Sequence, residues 1–134
     1  MEKDFRPWHD KKTVINSADG AALFHEREVW WCSLGSNIGY EQDGRGESFT
    51  RPVVILTKFN LDSCLIVPLT TRSKTGKYYF PVGDIDQRSA VAVLSQVRYI
   101  DRKRLAVKIT TLNSDIFQSL LSAVVDVCFP DQLK

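Results

Sequence analysis

Glu41, Arg51 and Thr70 are the side chains of this sequence best suited to chemistry. Glu41 and Arg51 stand at the two ends of a glycine-punctuated stretch, EQDGRGESFTRP from Glu41 to Pro52, which runs directly into Val53-Val54-Ile55-Leu56. Arg51 precedes a proline, whose ring biases the preceding residue to extended backbone. Its guanidinium is therefore expected to leave a strand entrance and project into solvent, where its planar fork can offer two parallel donors to a phosphate. Thr70 and Thr71 follow a second apolar run, Cys64 to Leu69, and a hydroxyl there can donate to a phosphate oxygen. Glu41 can accept a proton or orient a ribose hydroxyl. Each residue also has a plainer role open to it: Arg51 pairing with Glu47, Thr70 capping a turn, Glu41 simply solvated. They matter as a set only if the fold brings the two segments face to face.

Other chemistries find less support. His9 and His25 are the only histidines and lie far apart, without an HExxH pattern, and Asp84 and Asp86 form a lone pair. No metal site and no cofactor are expected. A Ser/His/Asp or Cys/His nucleophile would need His25 as its base, and His25 precedes the first core strand. Cys32, Cys64 and Cys128 are an odd set without close spacing, read as reduced, buried thiols of a cytoplasmic protein. The formal net charge of +2 permits a nucleic-acid partner without demanding one. The distribution is more telling. Arg45, Arg51, Arg72, Lys74 and Lys77 lie in or beside two loops, and Arg98, Arg102, Lys103 and Arg104 follow a later strand. Convergence of those loops would make a basic groove.

The elements that must position these groups are short strands. With 134 residues, 43% of them hydrophobic, the chain suits one domain with one core. No apolar run reaches membrane length, and the mixed charges of the first twenty or so residues do not make a secretory signal. Residues 1–22 are expected to be a helical extension: Phe5, Trp8 and Ile15 recur at helical spacing, Pro7 suits a first turn, and Ser17 to Gly20 end it. The core, 23–134, is expected to begin with strand Val29–Cys32. Further strands are expected over Pro52–Leu56, continuing to about Phe59, then Cys64–Leu69, Tyr78–Val82 and Val91–Gln96, the last extended by Arg98–Ile100. Turns fall at Asn60–Ser63 and Ser73–Gly76. Arg102–Leu105 suits one helical turn. A closing helix begins at Ser114 and Asp115, carries Ile116, Leu120, Val124 and Cys128 as one stripe, and stops at Phe129-Pro130. Its wide apolar face could close the barrel or partly serve a dimer. Short strands without intervening long helices argue for a mainly β fold, a small barrel or half-open sheet. The absence of GxGxxG and GKS/T patterns argues against a nucleotide-binding α/β fold.

An ordered set of stretches resembles the MazF/PemK family of toxin endoribonucleases from bacterial toxin–antitoxin systems. They are Val29-Trp30-Trp31; Gly39-Tyr40-Glu41-Gln42 with Gly44; Arg51-Pro52-Val53-Val54-Ile55-Leu56; Val67-Pro68-Leu69-Thr70-Thr71; and Leu94 through Asp101 (LSQVRYID) with Arg104-Leu105. The resemblance covers about Glu28 to the C-terminus. It implies an SH3-like β-barrel with a C-terminal helix, assembled as a homodimer in the cytoplasm. It further implies a toxin that inhibits translation and growth by cutting single-stranded RNA at short sequences, without a metal. A cognate antitoxin, a separate chain, would neutralise it by laying its C-terminal tail in the RNA groove, and the complex would bind DNA. Arg51 falls on the family's catalytic arginine, Thr70 on its catalytic threonine, and Glu41 on the glutamate of its GxEQ loop. Gln96 and Arg98 match its Q-x-R stretch. Gln42, Arg45, Thr71, Arg72, Lys74 and Lys77, beside these, are the expected RNA contacts. One departure stands out: an extra Gly-Arg-Gly-Glu-Ser-like stretch between Glu41 and Arg51, which would alter loop motion and RNA preference. The reaction implied is attack of a ribose 2′-OH on the adjacent phosphate. It leaves 2′,3′-cyclic phosphate and 5′-OH ends, with Arg51 and Thr70 on the phosphate and Glu41 as the physically better base. The competing readings are a non-catalytic SH3-like module that binds nucleic acid or protein through Trp30, Trp31, Tyr78 and Tyr79, and a protein-directed poison of related architecture.

Overall fold

Two apolar runs that are buried on both faces organise the molecule. A computed structural model of the chain describes residues 3–17, 23–35 and 50–131. Helix α1 spans Arg6–Ser17, followed by strands β1 (Glu28–Ser33), β2 (Thr50–Lys58), β3 (Ser63–Thr70), β4 (Tyr79–Ile85) and β5 (Arg88–Val93). A 3-10 turn at Leu94–Gln96 leads to β6 (Arg98–Asp101), and a second at Arg102–Arg104 leads to β7 (Leu105–Thr111), before helix α2 (Ser114–Cys128). Side chains alternate across a strand, so β2 and β3 feed two cores. Val53, Ile55, Cys64 and Ile66 pack with Phe24, Trp30, Cys32, Leu34, Ile100 and Leu105. Val54, Leu56, Val67 and Leu69 pack on the other side with Val82, Leu94, Phe117 and Leu120.

The sheet runs β4-β5-β3-β2-β1-β7, with β6 also on β3. All of its pairings are antiparallel. The free edge of β3 is shared. Its first half, Ser63–Ile66, pairs with β6, and its last residues, Leu69 and Thr70, pair with Ala92 and Val91 of β5. The chain between Val91 and Ile100 is therefore not one extended strand, as expected from sequence. The 3-10 turn at Leu94–Gln96 carries it from one end of β3 to the other. Strand β7 was not expected. It pairs with β1 through two register shifts, its residues are mostly exposed, and the bulges spoil the alternation that would reveal it.

The closing helix forms as expected, with Asn113 as its cap: Asn113 Oδ1 accepts from the backbone N–H groups of Asp115 and Ile116 at 2.8 and 3.4 Å. Its buried residues are Phe117, Leu120 and Val124. Cys128, expected on the same stripe, is exposed, while Cys32 and Cys64 are buried. The stripe ends a turn early because the chain leaves the core towards Phe129, itself exposed. At the other end, Trp8 of α1 is buried, Ile15 is half-buried and Phe5 is exposed, so α1 docks chiefly through one indole. No helix among the described residues is long and apolar enough to cross a membrane.

Candidate active site

The pairing of β2 with β3 brings the Arg-Pro and Thr-Thr dipeptides together. Val53 is the partner of Pro68 and Val54 of Val67. Continuing that antiparallel register towards the strand ends puts Arg51 opposite Thr70. Both line one cleft of about 510 Å³, together with Trp31, Pro52, Thr71, Ile85, Asp86, Arg88 and Ile109. Arg51 Nη1 donates to the Leu69 carbonyl oxygen at 3.0 Å, which fixes the guanidinium against the end of β3. The expectation that Arg51 projects into solvent is corrected: it is 7% exposed. The end of a strand inside a sheet has neighbours on both sides, and β1 (Cys32 opposite Arg51) and β3 enclose it.

Thr70 is also buried. Its Oγ1 accepts from the Arg72 backbone N–H at 3.2 Å, so the turn-capping role is real, and the hydroxyl proton is left to point at a second partner. A cation and a hydroxyl on adjacent strand ends can together hold a tetrahedral oxyanion. Thr71 lines the cleft as well. Arg72, Lys74 and Lys77 are exposed on the connection that leads away from it. Gln96 and Arg98 do not line the cleft. Gln96 ends the 3-10 turn before β6, and Arg98 pairs with Ile66. The Arg98 charge acts on Cys32 and Arg104. Burial pushes the Cys32 thiol up to about 12 against the pull of Arg104 and Arg98, and lowers the Arg104 guanidinium from its ordinary value, with Arg98 adding to the effect. Glu41, Gln42 and Arg45 lie outside the described residues. Among the described residues, no three His, Cys, Asp or Glu side chains gather as metal ligands.

Sequence reasoning missed the wall built by the β4–β5 hairpin. Asp86 and Gln87 form its two-residue tip, both with positive φ (51° and 66°), and Ile85 pairs with Arg88 across it. That is the twist a two-residue hairpin needs. The sequence there is Asp-Gln rather than Asp-Gly or Asn-Gly, so no turn signal marks it.

Comparison with known proteins fits this geometry. A family model described as PemK-like, MazF-like toxin of type II toxin-antitoxin system matches residues 25–128. No curated protein matches. Among solved structures, the chain is similar to MazF from Deinococcus radiodurans, with a TM-score of 0.64 at 16% identity over 80% of this chain and 97% of that one. It is similar to the Mycobacterium tuberculosis toxin MazF-mt6, with a TM-score of 0.60 at 19% identity over 76% and 96%. An endoribonuclease in complex with its cognate antitoxin, from a mycobacterial species, gives 0.59 at 14% identity over 79% and 95%. At these identities the structures speak for the fold alone, a mainly β molecule with a curled antiparallel sheet and a C-terminal helix. The family model spans more than three-quarters of the chain, and the chain belongs to the PemK-like, MazF-like toxins of type II toxin–antitoxin systems.

Proposed function

We propose that this toxin is an endoribonuclease that cuts single-stranded RNA by internal transesterification, without a metal. The observation that carries the reading is the meeting of Arg51 and Thr70 in one cleft. In the reaction, a ribose 2′-oxygen bonds to the adjacent phosphorus and the bond from phosphorus to the 5′-oxygen breaks. The 2′-OH proton goes to a base, and the departing 5′-oxygen gains a proton. Arg51, preset by its bond to Leu69, stabilises the extra negative charge on the phosphoryl oxygens, and Thr70 donates its hydroxyl to one of them. An arginine is a poor base because its pKa lies above about 12, so the base is assigned to Glu41. DNA lacks the attacking hydroxyl and is not cut.

The surrounding assembly follows the same reading. Five strands, β6-β3-β2-β1-β7, with a 3-10 turn between the last two in sequence, support an SH3-like barrel, with 23–134 as the toxin domain and 1–22 as an added extension. The toxin works as a cytoplasmic homodimer that inhibits growth. A cognate antitoxin covers the cleft with its C-terminal tail, and the complex binds DNA. Gln42, Arg45, Thr71, Arg72, Lys74, Lys77, Gln96 and Arg98 are the proposed RNA contacts.

Incubation of the purified protein with single-stranded RNA in EDTA tests the reading. Discrete cuts ending in 2′,3′-cyclic phosphate are expected, and intact RNA that remains tightly bound would favour a binding module instead. Glu41→Gln separates base from loop residue. As the base, its loss collapses the rate and removes the acidic limb of the pH profile. A profile of unchanged shape reassigns Glu41 to shaping the loop.

A further inference from the structure

Trp30 and Trp31 are neighbours with different surroundings. Trp30 is 7% exposed and packs in a core, and its Nε1 donates to Glu28 Oε1 at 3.0 Å. Trp31 is half-buried, belongs to neither packed core, and lines the cleft. Its indole N–H has no hydrogen-bond partner among the described residues. Arg88 also lines the cleft, is exposed, and has no ion pair or side-chain hydrogen bond among them. A lone exposed tryptophan is unremarkable on a surface. One that walls a concave cleft opposite an uncommitted cation is a recognition feature.

Strand order supplies the geometry. Along β5-β3-β2-β1, Arg88 sits on β5, Thr70 on β3, Arg51 on β2 and Trp31 on β1, where Trp31 is the partner of Pro52. Adjacent strands are about 5 Å apart. Arg51 and Thr70 therefore hold the middle, with Trp31 on the next strand on one side; on the other side Arg88 lies on the next strand but three residues beyond Val91, the partner of Thr70, roughly 10 Å further along. The cleft volume of about 510 Å³ lies within the range of roughly 300–1,000 Å³ typical of sites that take a small ligand, room for a nucleotide.

We propose that Trp31 is the stacking platform for the RNA base next to the scissile phosphate, and that Arg88 holds a phosphate on the other side of the cut. RNA thus crosses the strands, and Trp31 is a specificity-determining residue. The inference rests on the endoribonuclease reading of the same cleft, and two readouts keep the two apart.

The first readout is fluorescence with a mixed-sequence single-stranded oligodeoxynucleotide, which binds without being cut. Trp8 and Trp30 are buried, so a base stacked on Trp31 quenches the parent and leaves Trp31→Phe almost unquenched. Equal quenching of the two, or none in either, overturns the platform, whatever the cleavage assay shows. The second readout is the pattern of cuts in random-sequence RNA. Trp31→Leu keeps apolar bulk without a π-face; it is expected to lose ~10- to 100-fold in kcat/KM and to relax the preference at one nucleotide beside the cut. Trp31→Phe is expected to restore both, and Arg88→Gln to raise KM with the preference intact. A Trp31→Leu protein with parental far-UV spectrum, rate and sites overturns the platform while the endoribonuclease reading stands. A parent that is quenched but cuts no RNA overturns the endoribonuclease reading and leaves the platform.

Discussion

Arg51 is held with little freedom, which changes what its replacement means. Its guanidinium is buried and donates to the Leu69 carbonyl, so Arg51→Ala would remove packing and strip a buried acceptor of its partner, a cost of about 1–3 kcal/mol. Arg51→Lys is the cleaner probe, because it keeps the charge and most of the volume but not the planar fork. We expect it to lose roughly a hundredfold in cleavage rate, about 3 kcal/mol of transition-state stabilisation, with a urea midpoint close to the parent's. Parental cleavage by a folded Arg51→Lys protein would remove Arg51 from the reaction. Glu28 is the structural counterpart, a buried carboxylate that does no chemistry in the cleft. Its Oε1 accepts from the His25 backbone N–H at 2.8 Å and from Trp30 at 3.0 Å, and its Oε2 lies 3.1 Å from Lys108 Nζ. Burial alone would raise its carboxyl, but the hydrogen bonds from Trp30 and His25 and the Lys108 charge outweigh that and hold it below its ordinary value. A depressed folded-state value stabilises the protein above the unfolded-state value, about 4.3, and that contribution disappears as pH falls through the folded value. Glu28→Gln is expected to cost about 1–3 kcal/mol at neutral pH and to flatten the acidic side of the stability profile. Urea midpoints of parent and variant from about pH 7 down to 3 check this, and parallel curves would show that the Glu28 charge is irrelevant.

Helix α1 is joined to the curled sheet by few contacts, and one glycine decides whether it can dock. Gly35, at φ +76°, follows β1, and a Cβ there would overlap the Trp8 ring. The Arg104 guanidinium lies 5.7 Å from that ring, and Lys103 Nζ donates to the Asn16 carbonyl at 3.1 Å. Gly35→Ala combines a left-handed backbone with a blocked slot, at a cost on the order of 1–3 kcal/mol. We expect it to undock α1 and leave the sheet folded. Limited trypsin digestion at Lys11 and Lys12 would speed up while the main thermal transition changes little; parental digestion kinetics would show that α1 does not depend on this slot. The helix was legible because Trp8 and Ile15 keep helical spacing around an early proline. Strands β1 to β3 were legible for a related reason: burial on one or both faces leaves apolar runs in the sequence. The hairpin tip at Asp86–Gln87 and the edge strand β7 were not, because one lacks glycine and the other is bulged and exposed. For the same reason the Arg51 and Thr70 side of the cleft could be read from sequence, while the Arg88 wall appeared only once β5 was seen to pair with the end of β3; Trp31, offered by the sequence as a recognition aromatic of the competing module, was placed beside Arg51 by the β1–β2 register.

Charge acts over the whole molecule through its placement rather than its sum. A net charge of +2 is too small to attract RNA by itself, yet exposed Arg72, Lys74 and Lys77 follow Thr70 directly along the chain, and Arg88 opens on the cleft. A polyanion bound there displaces counterions, and for single strands the logarithm of affinity falls with the logarithm of salt by roughly 0.7 per phosphate contacted. Lys74 and Lys77 do not line the cleft that holds Arg51, so they can contribute to binding without taking part in the bond-breaking step. Replacing both with glutamine is therefore expected to flatten the salt dependence of RNA binding by about 1.4, to weaken binding similarly for every sequence, and to leave the positions of the cuts unchanged. If, as proposed above, the antitoxin tail covers the RNA cleft and is acidic, the same substitutions should weaken its binding as well. Filter binding between low and physiological salt measures the slope. An unchanged slope would place the RNA backbone elsewhere, and a shifted cleavage pattern would mean that the two lysines touch bases rather than phosphates.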